Sequence, residues 1–416
     1  MDDGAQTGPR SEFPSARWFI LFGVWLIYFA FGVVASSMAP LITPISADIG
    51  VDNTVMGFIL GAWPLTYIVA AVPCGVLLDR WGARRMLLAA ALLMAASAFA
   101  RSLAETPIEL LLAVALFGIG GPMISVGAPK VIMRLFEGKD RAFAMGIYVT
   151  GPYLGGLVTL ALTNSVALPL AGGDWRGVML IHTALVVMSG VIWLAISGSA
   201  GVRAGNTDTE AGKKFNLAAF AELVRLPEVR LIMAMSIGIF YINHGLNNWL
   251  PEILLARGFT PVEAGFWAAI PSAAGVLGVL VIPRLATPER RLSVMALLFV
   301  AALLASLLLQ TTATTPIGLG LLLQGIARGS MMTVAILLLM EMPSVPQDRL
   351  GLAGGLFFTT AEIGGVLGPV TFGFLSDLSG GFAAPLTSVT LISAALLMLL
   401  AALKRSNPLA KGSRVD

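Results

Sequence analysis

Twelve apolar runs, each long enough to cross a bilayer as a helix, alternate with short polar connections along the 416-residue chain. About 20 apolar residues suffice to span the hydrocarbon core at the helical rise of roughly 1.5 Å per residue. In the first half the runs are Trp18–Ser46, Thr54–Leu78, Met86–Leu103, Pro107–Met133, Ala142–Leu168 and Gly177–Ser197. In the second they are Val229–Glu252, Val262–Pro283, Leu292–Gln310, Pro316–Met340, Leu350–Leu375 and Ala383–Leu403. A chain that is 57% hydrophobic and only 12% charged carries about half the charge of a soluble domain. Helix-length runs exclude the short alternating strands of an outer-membrane barrel. The expected fold is an all-α membrane protein of twelve transmembrane helices in two pseudo-symmetric six-helix bundles.

The polar stretch Gly198–Arg225, with Lys213 and Lys214 and no long apolar run, divides the chain near its middle. It reads as a linker, with one short amphipathic helix at Phe215–Val224. The domains are therefore residues 1–197, a cytoplasmic linker at 198–228, and residues 229–416. Of the 26 Lys and Arg, 21 fall in one set of alternate loops and tails, against three, Arg101, Arg176 and Arg257, expected outside the membrane on the opposite side; Lys130 and Arg328 are the two left over. That asymmetry places both termini in the cytoplasm, and a bacterial inner membrane suits such a chain. The polar N-terminus precedes an apolar run too long for a signal-peptide core, so it is expected to stay on the protein. A net charge of +3 is spread over loops, which speaks against nucleic acid. One cysteine, Cys74, allows no internal disulfide; two histidines alone make no zinc site; there is no P-loop. Neither a cofactor nor enzymatic activity is expected, and the protein is expected to be a monomer in the lipid bilayer.

The halves repeat each other. Trp63-Pro64 is matched by Ile270-Pro271 and Gly118-Ile119 by Gly325-Ile326, both 207 positions on. Arg141 matches Arg349, Gly146 matches Gly354, and Leu154–Gly156 matches Ile363–Gly365 at offsets of 208 to 209. A near-constant offset over three helix pairs implies a duplicated six-helix unit facing its copy across a central cavity.

Between the second and third runs lies GVLLDRWGARR, Gly75 to Arg85. This order of Gly, apolar residues, Asp-Arg, Gly and paired Arg resembles the loop signature of the major facilitator superfamily of transporters. The resemblance implies that Asp79, Arg80 and Arg84 fasten the two halves together when the cytoplasmic side is closed. Gly75 would let the helix end lie close to a neighbour, and Gly82 completes the motif. TGPYLGG at Thr150–Gly156 resembles the fifth-helix signature of the family's proton-coupled exporters, but the fourth run lacks the intramembrane Arg those exporters use. Trp249–Gly265 is loosely similar to the branch of cyanate-type small-solute carriers.

A charge in mid-membrane is costly unless it faces water or a partner, which makes it a functional candidate. Arg328 in the tenth run and Glu362 in the eleventh stand at similar depth. Arg328 is expected to bind an anionic group of the substrate through its planar fork, and Glu362 to serve as a proton or counter-ion site. The alternative is a structural ion pair between them. Asn243, His244 and Asn247, with Asn248, form a polar cluster late in the seventh run, suited to substrate hydrogen bonds or an extracellular gate. Tyr28, Tyr148, Tyr153 and Tyr241 are candidate cavity residues, as is Gln324. Lys130 reads as a snorkelling cation. The expected activity is secondary active transport of a small organic or inorganic anion by alternating access, with proton coupling or exchange. Two alternatives are proton-driven export of neutral or cationic compounds at Glu362, and a transport-inactive receptor or scaffold.

Overall fold

The computed structural model describes residues 16–198 and 217–406, so most of the expected linker lies outside the described residues. Its helices are α1 (Ala16–Ser36), α2 (Ile42–Ile49), α3 (Asn53–Ser102), α4 (Pro107–Leu135), α5 (Gly138–Leu162) and α6 (Trp175–Ser197). After the gap come α7 (Leu217–Arg225), α8 (Pro227–Leu255), α9 (Pro261–Leu285), α10 (Arg291–Leu308), α11 (Thr314–Met340), α12 (Leu350–Ser379) and α13 (Ala383–Ser406). Eleven of the described helices are long and apolar enough to cross a membrane. One of them, α3, runs for 50 residues, about 75 Å at the helical rise, more than two hydrocarbon cores. It is two crossings joined at Gly82, whose φ of 76° and ψ of 159° only glycine adopts without strain. Twelve crossings result, alternating in direction, so Ala16 and Ser406 lie on one face, called here the terminal face. The other is the distal face.

Two expected runs are shorter as helices than their hydropathy suggests. The first stops at Ser36, and a 3-10 turn at Ala39–Leu41 with Pro40 leads into α2. The fifth ends at Leu162 in a π-helical turn, Thr163–Ala167. Distal helix starts are set by side-chain caps. Asp52 accepts from the Val55 N–H, and Thr106 and Thr260 form capping boxes with Glu109 and Glu263. The amphipathic α7 falls where the sequence placed one, and its Glu222 pairs with Arg349 beside α12.

Small residues set how closely crossings approach. A Cβ on Gly118 of α4 would run into the Trp63 backbone of α3, and one on Gly325 of α11 would lie 2.5 Å from the Pro271 carbonyl of α9. Likewise Gly155 of α5 abuts the Phe29 carbonyl of α1, and Gly364 of α12 abuts that of Ile237 on α8. Each pair joins corresponding crossings of the two halves, so the sequence repeat is also a packing repeat.

The halves touch mainly through α3 against α12 and α5 against α9. A Cβ on Gly57 would lie 2.7 Å from the Pro369 carbonyl, and one on Gly265 would lie 2.5 Å from that of Leu160. Every inter-half side-chain hydrogen bond among the described residues lies toward the distal face: Thr43 to Glu252, Thr54 to Asp377, and Asn164 to the Pro261 carbonyl. At the terminal ends of the same helices, Gly75, Gly351 and Gly355 have nothing within 4 Å of an added Cβ. The molecule is closed on its distal face, and α3 and α12 part toward its terminal face, while α5 and α9 still meet where an added Cβ on Gly146 would lie 3.5 Å from Leu280. Apolar side chains such as Phe19, Ile108, Leu297, Leu391 and Met398 are exposed on its flanks, as a lipid-facing surface requires.

One topological expectation is corrected. Arg101 is not a loop cation: it is 2% exposed. Its Nη1 donates to the Val34 carbonyl at 3.1 Å and to the Ser37 hydroxyl at 2.9 Å, and the guanidinium lies over the Phe117 ring. It holds the C-terminal end of α1, where the free carbonyls carry partial negative charge.

Candidate functional site

Crossings from both halves converge on a central polar region. From α11 come Gln324 and Arg328, one helical turn apart, so they share a face. From α8 come Asn243 and Asn247, spaced the same way, with His244 beside them. Gln324, Arg328 and Asn247, with Leu160, Leu246, Leu250 and Ala268, line a narrow crevice between the halves. The Arg328 guanidinium lies 5.8 Å from the centroid of the Tyr153 ring, which reaches it from α5 in the other half.

Arg328 and Glu362 do not form an ion pair. Among the described residues no carboxylate lies within 4 Å of Arg328, and the basic side chain within 4 Å of Glu362 is His244, Nε2 to Oε2 at 3.9 Å. The structural-pair alternative is thereby contradicted: the two residues sit at similar depth but take different neighbours. Glu362 is 4% exposed, and its Oε2 has no hydrogen-bond partner. The same holds for Asn243 Oδ1, Asn247 Oδ1, Gln324 Oε1, Ser272 Oγ and Ser330 Oγ. A buried polar atom without a partner costs about 1–3 kcal/mol, and the two that share the crevice with Arg328, on Asn247 and Gln324, mark it as a place where something polar belongs.

Of the remaining candidates, Tyr28 and Tyr148 stack on each other at 4.6 Å and 10° in the first half. Tyr241 does not line the centre: its hydroxyl is bonded to Ser388 on α13 at 2.6 Å, because α8 turns that face into its own bundle. Asn248 donates to the His244 carbonyl one turn back, a bond within the helix. Trp63, read in the sequence only as part of the repeat, stacks on His244 at 5.0 Å and 27°. It was missed because a mid-membrane Trp carries no charge to betray it. Tyr67 and Ser125 share a hydrogen bond at 2.7 Å nearby and were missed for the same reason.

The charged loop at Gly75–Arg85 forms no hydrogen bond or ion pair with the second half among the described residues. Asp79 pairs with Lys130 of α4 at 2.7 Å, which gives Lys130 a partner beyond snorkelling. Arg84 donates to the Ser197 hydroxyl at 3.0 Å, and its carbonyl accepts from Trp193. Arg80 is exposed. Gly75, expected to lie against a neighbour, faces open space because α3 and α12 part toward this face.

Comparison with known proteins adds the following. A family model described as the Major Facilitator Superfamily matches residues 24–369. The chain is 24% identical to the probable galactarate/D-glucarate transporter GudP of Bacillus subtilis, over 91% of this chain and 90% of that protein. It is 24% identical to the hexuronate transporter of the same organism, over 81% of this chain and 83% of that protein. Its fold matches the crystal structure of the nucleoside transporter NupG with a TM-score of 0.75 at 15% identity, covering 93% of this chain and 99% of that one.

Proposed function

The chain belongs to the major facilitator superfamily, and from that premise we propose that it moves a small organic anion, of the hydroxy-carboxylate kind, across a membrane by alternating access. Membership makes it a multi-pass transporter and not an enzyme. The observation that carries the substrate class is Arg328, a fixed cation at the junction of the halves with no carboxylate among the described residues within 4 Å. Its planar fork suits a carboxylate. Around it, the unpartnered amide oxygens of Asn247, Asn243 and Gln324 suit hydroxyl groups of a polyhydroxylated acid. The names of two relatives, for aldarates and hexuronates, point the same way.

Tyr153 packs on the guanidinium from the first half and would close over a bound solute, while Tyr28 and Tyr148 extend the wall on that side. Glu362 is the proposed coupling group. An ionised carboxylate close to a bound anion repels it, so loading a proton there favours anion binding, and by linkage the anion favours the proton. The charge asymmetry of the loops supports a cytoplasmic terminal face. The described conformation then faces inward, in a bacterial inner membrane, with the chain acting as a monomer. In the opposite state the charged loop at Asp79, Arg80 and Arg84 would fasten the terminal face.

The test is a thermal-shift screen of the purified protein with D-glucarate, D-galacturonate and L-tartrate against cationic drugs, followed by uptake into proteoliposomes. A ligand that binds only the folded state raises the apparent stability. Stabilisation by the acids supports the reading. Stabilisation by cations alone replaces it with export of cationic compounds at Glu362.

A further inference from the structure

The coupling carboxylate proposed above is not alone, and what surrounds it assigns a role to two more residues. His244 Nε2 lies 3.9 Å from Glu362 Oε2, and both side chains are largely withdrawn from solvent, with 14% and 6% of their surface exposed. Both rest on Gly365: a Cβ there would come within 2.5 Å of Glu362 Oε2 and 3.2 Å of His244 Cε1 and Nδ1. A methyl group at that position would force the pair out of place, so the glycine provides its seat. The imidazole is flanked by two aromatic rings, Phe240 one turn back on α8 and Trp63 from the first half. Trp63 is itself braced by Phe117 at 5.5 Å and Phe31 at 6.1 Å. The other titratable groups near the pair are Arg328 from α11, on the side of His244, and Tyr67 from α3, on the side of Glu362.

We propose that His244 and Glu362 form one proton-binding unit, and that Trp63 is the point at which the first half senses its charge. The inference rests on the transport reading only for its purpose; the proton-binding unit itself is a property of the unliganded protein. With a neutral imidazole and an ionised carboxylate the unit carries one negative charge. One proton from water neutralises it, as a carboxylic acid beside imidazole or as imidazolium beside carboxylate, and the proton returns to water on release. In the second form the ring facing Trp63 becomes a cation, and a cation over an indole face is attracted to it. The proton thereby strengthens a contact between the halves. His244, expected from the sequence to bind substrate, is instead a positioning and proton-sharing residue, while Arg328 and the amides remain for the solute.

The experiment is a pH titration of tryptophan fluorescence on the purified, unliganded protein, from about pH 4 to about pH 9, the range that brackets His and Glu. An imidazolium quenches an adjacent indole. A quenching step should appear in the wild type and vanish in Trp63→Phe, which keeps an aromatic ring on His244 but removes the reporter. The step should also vanish in His244→Gln. In Glu362→Gln its midpoint should move toward acid by at least about one pH unit, since the carboxylate that steadies the imidazolium is gone. Size-exclusion profiles and melting temperatures identify any variant that fails to fold, and Glu362→Asp, which retains a carboxylate, should restore most of the midpoint. A Trp63-dependent step that survives His244→Gln, an unmoved midpoint in Glu362→Gln, or no Trp63-dependent step at all would overturn the proposal. Because no solute is present, failure of the acids to bind would remove the substrate reading and leave this result standing. Acid binding together with an unmoved midpoint would overturn this proposal and leave the transport reading standing.

Discussion

Asp377, at the distal end of α12, accepts hydrogen bonds from both the backbone N–H of Thr54, at 2.7 Å, and its hydroxyl, at 2.6 Å. Thr54 belongs to the first turn of α3, in the other half. Glu252 at the end of α8 does the same for Thr43 at the start of α2, taking its N–H at 3.1 Å and its hydroxyl at 2.9 Å. In both cases a carboxylate of the second half meets the N-terminal end of a first-half helix, where free N–H groups and the helix dipole favour negative charge. These bonds, with that from Asn164 to the Pro261 carbonyl, must break for the distal face to open.

Replacing Asp377 by Asn should therefore loosen the distal closure. Loss of a charge-assisted bond at a solvent-accessible site is worth about 1 kcal/mol, roughly a fivefold shift between two states. Spin-label distances between α2 and the distal end of α8 should show a larger open fraction, larger still with Glu252→Gln. Unchanged distances in the double variant would show that helix packing alone holds that face shut.

Gly364 and Gly355 lie on the same helix and should respond oppositely to alanine. At Gly364 the new methyl group meets the Ile237 carbonyl, and parting α12 from α8 should cost about 1–3 kcal/mol. At Gly355 nothing lies within 4 Å, so alanine should leave the melting temperature unchanged or raise it slightly, by up to about 1 kcal/mol of helix propensity. Equal effects would contradict the close approach of α8 and α12.

Arg101 and Arg328 should separate stability from binding. Arg101→Gln removes two hydrogen bonds at the end of α1 and should lower stability by about 2 kcal/mol. The affinity of the protein for an acid should not change. A large loss of affinity without a loss of melting temperature would make Arg101 a second anion ligand.

Asp79→Asn should affect transport more than stability. Its pairing with Lys130 is about half exposed, 48% and 43%, and such pairs contribute less than about 1 kcal/mol. If Asp79 also fastens the terminal face in the opposite state, uptake into proteoliposomes should fall severalfold while the melting temperature barely moves. Normal uptake would reduce the loop to a determinant of orientation.

Much of this architecture was legible in the chain because it depends on composition over long stretches. A lipid solvent forces apolar runs, the cations mark their ends, and duplication leaves Gly118 with Gly325 and Gly155 with Gly364 in register. Arg328 and Glu362 stood out because a charge in an apolar run needs a reason. What stayed hidden depends on which surfaces meet. Trp63 matters through its stack on a histidine from the other half, some 180 positions away. Gly365 matters because two side chains rest on it. Arg101 was misread because it lies in the last turn of α3, where hydropathy cannot tell an exposed cation from one folded back onto a neighbouring carbonyl. Asp377 and Glu252 drew no notice in the sequence, because their partners Thr54 and Thr43 lie in the other half.

The most direct measurement is the dissociation constant of D-glucarate, D-galacturonate and L-tartrate for the wild type and for Arg328→Gln, by calorimetry at fixed pH and low salt. The account predicts that at least one acid binds the wild type and that the variant loses about a hundredfold or more in affinity, the worth of a charge-assisted pair. Its melting temperature without ligand should stay within a few degrees of wild type. Acid binding undiminished in Arg328→Gln, or binding by cationic compounds alone, would contradict it.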